Sequence, residues 1–224
     1  MNRSHVAVAI VSFVASLAAQ FVMTPRVASA AGAAGVPEVV RAHGFEVVDA
    51  AGKARAVLAV MPDGALQLSL VDAGGRPRGG LGMAADGAPQ LSLLDAAGKV
   101  RVGLGVTPAG APTLALSDAT GKRRVALALV ADGAPKLLLS DAAWKPRIGL
   151  AVMPDGTPAL SMTDSAEKLR AGLSVAADGT SSLSLLDAAG RSRANLGVEL
   201  NGAPHLGVPP PERTPAKRLT TEPE

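Results

Sequence analysis

The sequence predicts an all-β chain: tandem 23-residue β-hairpin repeats joined into one continuous antiparallel meander, with an N-terminal hydrophobic signal helix and a disordered C-terminal tail. Three observations carry this reading. The chain repeats itself with a fixed period, each period alternates apolar and other residues two by two, and turn residues recur at two places in every copy. Alternation alone leaves three closures for such a sheet: a curled single sheet, a sandwich or barrel, and a β-solenoid-like winding.

Taken in chain order, residues 1–30 read as an export signal. Arg3 supplies the charged start, Val6 to Met23 is an 18-residue apolar run, and Ala28-Ser29-Ala30 offers the small-x-small pattern of a cleavage site. The run approaches the ~20 residues needed to span a bilayer, so an uncleaved anchor over residues 6–23 in the inner membrane is the alternative. Either way the remainder is expected to be exported, periplasmic or extracellular. Residues 31–45 read as a linker and capping strand, with Val39-Val40-Arg41-Ala42 and Phe45-Glu46-Val47-Val48 opening the sheet.

Residues 46–206 hold seven copies. Asp49, Asp72, Asp95, Asp118, Asp141, Asp164 and Asp187 are spaced 23 apart and define position 0. Position 4 is always basic (Lys53, Arg76, Lys99, Lys122, Lys145, Lys168, Arg191), and position 6 is always Arg (Arg55, Arg78, Arg101, Arg124, Arg147, Arg170, Arg193). Leu recurs at positions 9 and 19 and Gly at position 15. Positions 7, 9 and 11 (Val102, Leu104, Val106) and 17, 19 and 21 (Pro112, Leu114, Leu116) form two alternating strands. Pro-Asp-Gly or Ala-Asp-Gly between them (Pro62-Asp63-Gly64, Ala85-Asp86-Gly87) is the chemistry of a type I turn closed by a left-handed Gly.

Arithmetic then predicts the register. A three-residue loop at positions 13–15 pairs 9 with 19 and 11 with 17. A four-residue loop between copies, Ala-x-Gly-Lys, pairs 21 with position 7 of the next copy, so all Leu and Val share one face. About fourteen strands follow. The period and the one-hairpin-per-copy plan resemble the MORN repeat. The chain departs from that repeat in having neither Tyr nor Trp in register, so the resemblance implies architecture alone.

Residues 207–224, with Pro209-Pro210-Pro211, Pro215 and Pro223 among balanced charges, read as a disordered spacer.

Composition narrows the chemistry. With no cysteine, disulfides and thiolate sites are excluded, and 2 % aromatics argue against stacking sugars or bases. The formal charge of +3 includes Arg3 and Arg26; without them 20 basic residues face 19 acidic ones, which is no bulk nucleic-acid binder. Asp at position 14 (Asp63, Asp86, Asp132, Asp155, Asp178) reads as turn chemistry rather than calcium, since each turn offers one carboxylate and calcium wants six to eight oxygens. His5, His43 and His205 form no metal pattern and no triad. No catalytic residue, metal site or cofactor is expected.

Two features remain as candidate contacts. The basic columns at positions 4 and 6 (Lys53, Arg55, Arg78, Lys99, Arg101, Lys122, Arg124, Lys145, Arg147, Arg170 and Arg193) could grip phosphates or carboxylates of a cell-surface polymer, or simply pair with the Asp of their own copy. Trp144 and Glu167 replace Gly at position 3, and Trp144 is a candidate partner contact. The expected role is a non-catalytic structural or binding scaffold at the cell envelope, taking a protein partner or a second copy on its Leu/Val face. The alternatives are polyanion or surface-glycan binding and an outer-membrane β-barrel. Strands of about eight residues fall short of the 9–11 that a barrel strand needs.

Overall fold

The computed structural model of the chain describes residues 41–130 and 132–208. The expected signal segment, Val39-Val40 of the expected cap and the tail from residue 209 lie outside them. The described residues contain fifteen strands and no helix, and hence no helix long and apolar enough to cross a membrane.

They fall into two units divided between Pro146 and Arg147. The first holds β1 Gly44–Val48, β2 Ala54–Val60, β3 Leu66–Val71, β4 Pro77–Met83, β5 Pro89–Leu94, β6 Val100–Val106, β7 Pro112–Ser117, β8 Arg123–Leu129 and β9 Pro135–Ser140. The second holds β10 Pro146–Val152 from its second residue on, β11 Pro158–Thr163, β12 Leu169–Val175, β13 Ser181–Leu186, β14 Ser192–Val198 and β15 Pro204–Gly207. Within each unit every strand pairs antiparallel with the next, so each is a meander. Among the described residues β1 pairs only with β2, and β15 only with β14, so the strand order does not close on itself.

The register within a copy is the one expected. Leu104 faces Leu114 and Val106 faces Pro112, and across copies Leu116 faces Val125. Pro is tolerated at strand starts such as Pro89, Pro112 and Pro135 because it adds φ ≈ −65° there without interrupting a central ladder position.

The loop between copies differs from expectation. The Asp49 N–H donates to the Lys53 carbonyl at 2.9 Å and the Gly52 N–H to the Asp49 carbonyl at 2.9 Å, which makes a three-residue turn rather than a four-residue loop. The hairpin turn has the same plan: Met61 N–H to the Ala65 carbonyl and Gly64 N–H to the Met61 carbonyl. Gly52 (φ 75°) and Gly64 (φ 87°) take the left-handed position of each. The residue left over appears as a β-bulge. Leu70 faces Gly79 and Val71 faces Pro77, which leaves Arg78 without a partner across the ladder. Arg101, Arg124, Arg170 and Arg193 are bulged in the same way.

In the chain by itself the Leu/Val face, which the sequence expects to be covered by closure of the sheet or by a partner, is exposed: Leu81, Leu104 and Leu196 are each half or more accessible. Side chains at positions 7, 9, 11, 17, 19 and 21 are apolar in all copies except for Ser181. The buried residues lie on the opposite face, among them Ala59, Gln67, Ser92, Thr113 and Ala115. Small residues at positions 8 and 10 explain this. Gly105, where an added Cβ would sit 2.9 Å from the Pro89 carbonyl oxygen, and Gly82, where it would run into the Leu66 carbonyl oxygen, let backbone close in on that side. The sheet of the first unit therefore hollows on its small-residue face and presents its leucines outward.

Candidate functional site

In most copies the position-0 Asp divides its carboxylate between two tasks. One oxygen of Asp95 accepts the Ala97 and Lys99 backbone N–H groups at 2.9 and 3.0 Å, tying the turn together. The other faces the Arg of position 6, which the bulge swings back over its own copy: Arg78–Asp72 at 3.8 Å, Arg101–Asp95 at 3.3 Å, Arg124–Asp118 at 3.6 Å, Arg170–Asp164 at 3.8 Å and Arg193–Asp187 at 2.8 Å. The N–H of residue 4 is the largest influence holding the carboxyls of Asp72, Asp95, Asp164 and Asp187 below their ordinary range, with the Arg charge adding to it. At Asp118 the Thr120 hydroxyl leads. Most of the position-6 column is thus occupied inside its own repeat.

The position-4 cations vary: Arg191 pairs with Asp187 of its own copy at 3.0 Å, as the position-6 residues do. The position-4 residues stand at the end of the turn between copies, and two reach toward the next one. Arg76 donates to the Ala96 carbonyl at 3.4 Å and Lys122 to the Ala142 carbonyl at 3.1 Å. Lys53, Lys99 and Lys145 donate their backbone N–H to the Asp of their own turn. Arg55 is bulged like the other position-6 residues, and Arg147 opens the second unit in β10.

The hollow face of the first unit forms a groove of about 810 Å³. Its floor is made by Gln90, Ser92, Gly103, Thr113, Ala115 and Ser117 on β5, β6 and β7. One end is formed by hairpin turns carrying Asp63 and Asp86, the other by turns between copies carrying Lys99, Lys122, Arg123 and Trp144. Trp144 holds φ 63°, the left-handed position that Gly takes in the equivalent turns, because its N–H still donates to the Asp141 carbonyl at 2.9 Å. The Arg123 guanidinium lies 6.0 Å from the Trp144 ring centroid. Arg123 is half-buried, and burial lowers its affinity for its proton below the ordinary value.

Sequence reasoning singled out Trp144 and passed over Arg123. A signal was there: position 5 is Ala54, Pro77, Val100, Pro146, Leu169 and Ser192 in the other copies, so Arg123 is its sole charge. Among the described residues no cluster of three or more His, Cys, Asp or Glu is placed to hold a metal.

No protein-family model matches the chain, and no curated protein matches it. Among solved structures, the SAS-4 (dCPAP) TCP domain of Drosophila melanogaster, in complex with a proline-rich motif of Ana2 (dSTIL), is similar with a TM-score of 0.44 and 13 % identity over 80 % of this chain and 97 % of that one. A porin-like protein from Bacteroides uniformis is similar with a TM-score of 0.20 and 11 % identity over 72 % and 86 %. Neither likeness carries a residue or an activity over to this chain.

Proposed function

We propose that the protein is an exported, non-catalytic repeat scaffold of the cell envelope that assembles with a second copy of itself through its Leu/Val face. The observation that carries this is the exposed ladder: six positions per copy, uninterrupted by any charge, with leucines such as Leu81 and Leu104 half accessible. Soluble monomers rarely expose contiguous apolar patches beyond roughly 300–600 Å². Nine strands about 4.8 Å apart and about 20 Å long give the first unit a face on the order of 900 Å². That matches the roughly 800 Å² per partner of a stable interface.

A second copy is the natural occupant because its ladder has the same two-strand spacing, so rows of one face meet the furrows of the other along its whole length. No charge on the face selects a different partner. Export and the envelope location rest on the residue pattern of 1–30. The test is light scattering on the protein recovered from producing cells, with the double variant Leu104→Glu/Leu127→Glu beside it. Two or more chains per particle for the parent and one for the variant, with unchanged β-sheet circular dichroism, are expected. A parent that stays monomeric overturns the assembly.

A further inference from the structure

The groove on the small-residue face lies opposite the Leu/Val ladder and is lined wholly by the first unit. Three of its features are not required by the fold. Glycine within a strand costs roughly 0.5–1 kcal/mol relative to alanine, and it is usually kept for a tight backbone approach. At Gly103, on the groove floor, an added Cβ would meet nothing within 4 Å. Copy one carries Val57 at the same position, so the repeat accepts a large side chain there. The bare floor at Gly103 leaves room for something other than the protein.

The other two features meet at one end of the groove. Arg123 is half-buried with a ring beside it, and among the described residues no carboxylate is paired with it. Trp144 is exposed and held in a left-handed conformation that, among the described residues, only Glu167 shares with it outside Gly. Arg123 is the sole charge at position 5 and Trp144 the sole ring at position 3, and the repeat sets the turns of neighbouring copies side by side, as it does Lys99 and Gly121, so the two departures face one another. A half-buried guanidinium flanked by Lys99 and Lys122 calls for an anion. The opposite end is closed by the turns of Asp63 and Asp86, whose Oδ1 atoms each accept one backbone N–H.

We infer that this groove binds an extended peptide of about six residues, with a carboxylate at the Arg123–Trp144 end and a cationic group at the Asp63–Asp86 end. The length follows from strands of six to seven residues at about 3.3 Å per residue, which gives a groove roughly 20 Å long. The floor favours this ligand over others. Ser92 and Thr113, both over nine-tenths buried, and Gln90 offer hydrogen-bonding groups along its length, which an acyl chain does not use. A uniform polyanion meets two carboxylates at the far end. A glycan has a single ring, Trp144, on which to stack.

Trp144 is the chain's sole tryptophan and reports its own site. The full-length protein is titrated with the amidated hexapeptide Lys-Ala-Ser-Ala-Ala-Glu, followed by Trp emission and by calorimetry. Its Glu→Gln and Lys→Gln versions and an unamidated Gln version run in parallel. The last separates recognition of a chain terminus from recognition of an acidic side chain. Saturable binding is expected, weakened about tenfold or more by Glu→Gln in the amidated peptide. The variants Arg123→Val and Gly103→Val, each taking a residue that another copy has at that position, are expected to abolish it without altering circular dichroism. Absence of saturation to about 1 mM peptide, or equal binding by Arg123→Val, overturns the proposal. Because the groove and the ladder occupy opposite faces, oligomeric state read on the same variants separates failure here from failure of the assembly.

Discussion

Replacing Glu167 by Gly should stabilise the protein although it removes a side chain and adds no contact. The turn Asp164–Lys168 has the same two backbone hydrogen bonds, at 2.9 Å each, as the turn Asp95–Lys99, where they measure 3.0 and 2.9 Å. Glu167 sits at φ 60°, where its counterpart Gly98 sits at φ 75°. For an L-residue the left-handed region costs roughly 1–2 kcal/mol. Gly removes that cost but adds freedom to the unfolded chain worth about 0.5–1 kcal/mol. The balance is about 0.5–1 kcal/mol in favour of Glu167→Gly. The reciprocal change separates backbone strain from crowding. A Cβ on Gly98 would meet nothing within 4 Å, so Gly98→Ala should lose about 0.5–1 kcal/mol through φ alone. Denaturant titrations of parent, Glu167→Gly and Gly98→Ala, at one protein concentration so that assembly contributes equally, measure both. In heating experiments each shift corresponds to about 2–4 °C per kcal/mol for a chain of this size. A destabilised Glu167→Gly beside an unaffected Gly98→Ala would refute the argument that φ, and not side-chain contact, sets the residue at position 3.

Two further outcomes follow from the same geometry. Gly82→Ala, whose Cβ would run into the Leu66 carbonyl oxygen, should cost about 1–3 kcal/mol, while Gly103→Ala, with open space around it, should gain about 0.5–1 kcal/mol; the pair is read by thermal melting. Acid should destabilise the sheet at the turns between copies. The carboxyls of Asp72, Asp95, Asp118, Asp164 and Asp187 are held below their ordinary value of 3.8 when folded, so their contribution is complete above that value and is lost as pH falls through the lower folded values. Melting temperature should therefore stay level from neutral pH to about 5 and drop below about 4, and a melting temperature that rises on acidification contradicts the assignment.

The sequence carries strand number, hairpin plan and within-copy register legibly because these depend on counting. Alternation places the Leu of positions 9 and 19 on one side, and the Gly at position 15 permits one turn geometry at one offset. Counting fails at the junction between copies. A four-residue loop and a three-residue turn with one bulged residue consume the same number of residues and return the same pairing of Leu116 with Val125. Only the bond from Asp95 N–H to the Lys99 carbonyl tells them apart, and it decides where Arg101 points. A reading that treats Arg101 as part of a regular strand sees a comb of cations. The bulge turns most of that comb inward, onto the Asp of each copy.

The two faces pose a different difficulty. Period 2 shows that the faces differ, but burial is decided by curvature, and curvature depends on how closely backbones approach at Gly82 and Gly105. That distance has no counterpart in a one-dimensional pattern. The candidate groove arises from the same curvature, and its two marked residues lie on different copies, 21 residues apart. Within a tandem repeat the informative residues are those that break their column, since the columns themselves are explained by turn, ladder and ion pair. Trp144 breaks one such column visibly because it strains a turn. Arg123 breaks another without strain, at a strand start where any residue is tolerated, and its meaning emerges only where the two lie against each other at the mouth of the hollow face. The repeat sets neighbouring turns side by side, and among the described residues it sets a cation beside a ring in this groove alone, which separates the peptide-binding proposal from the repeated charges that pair within their own copies.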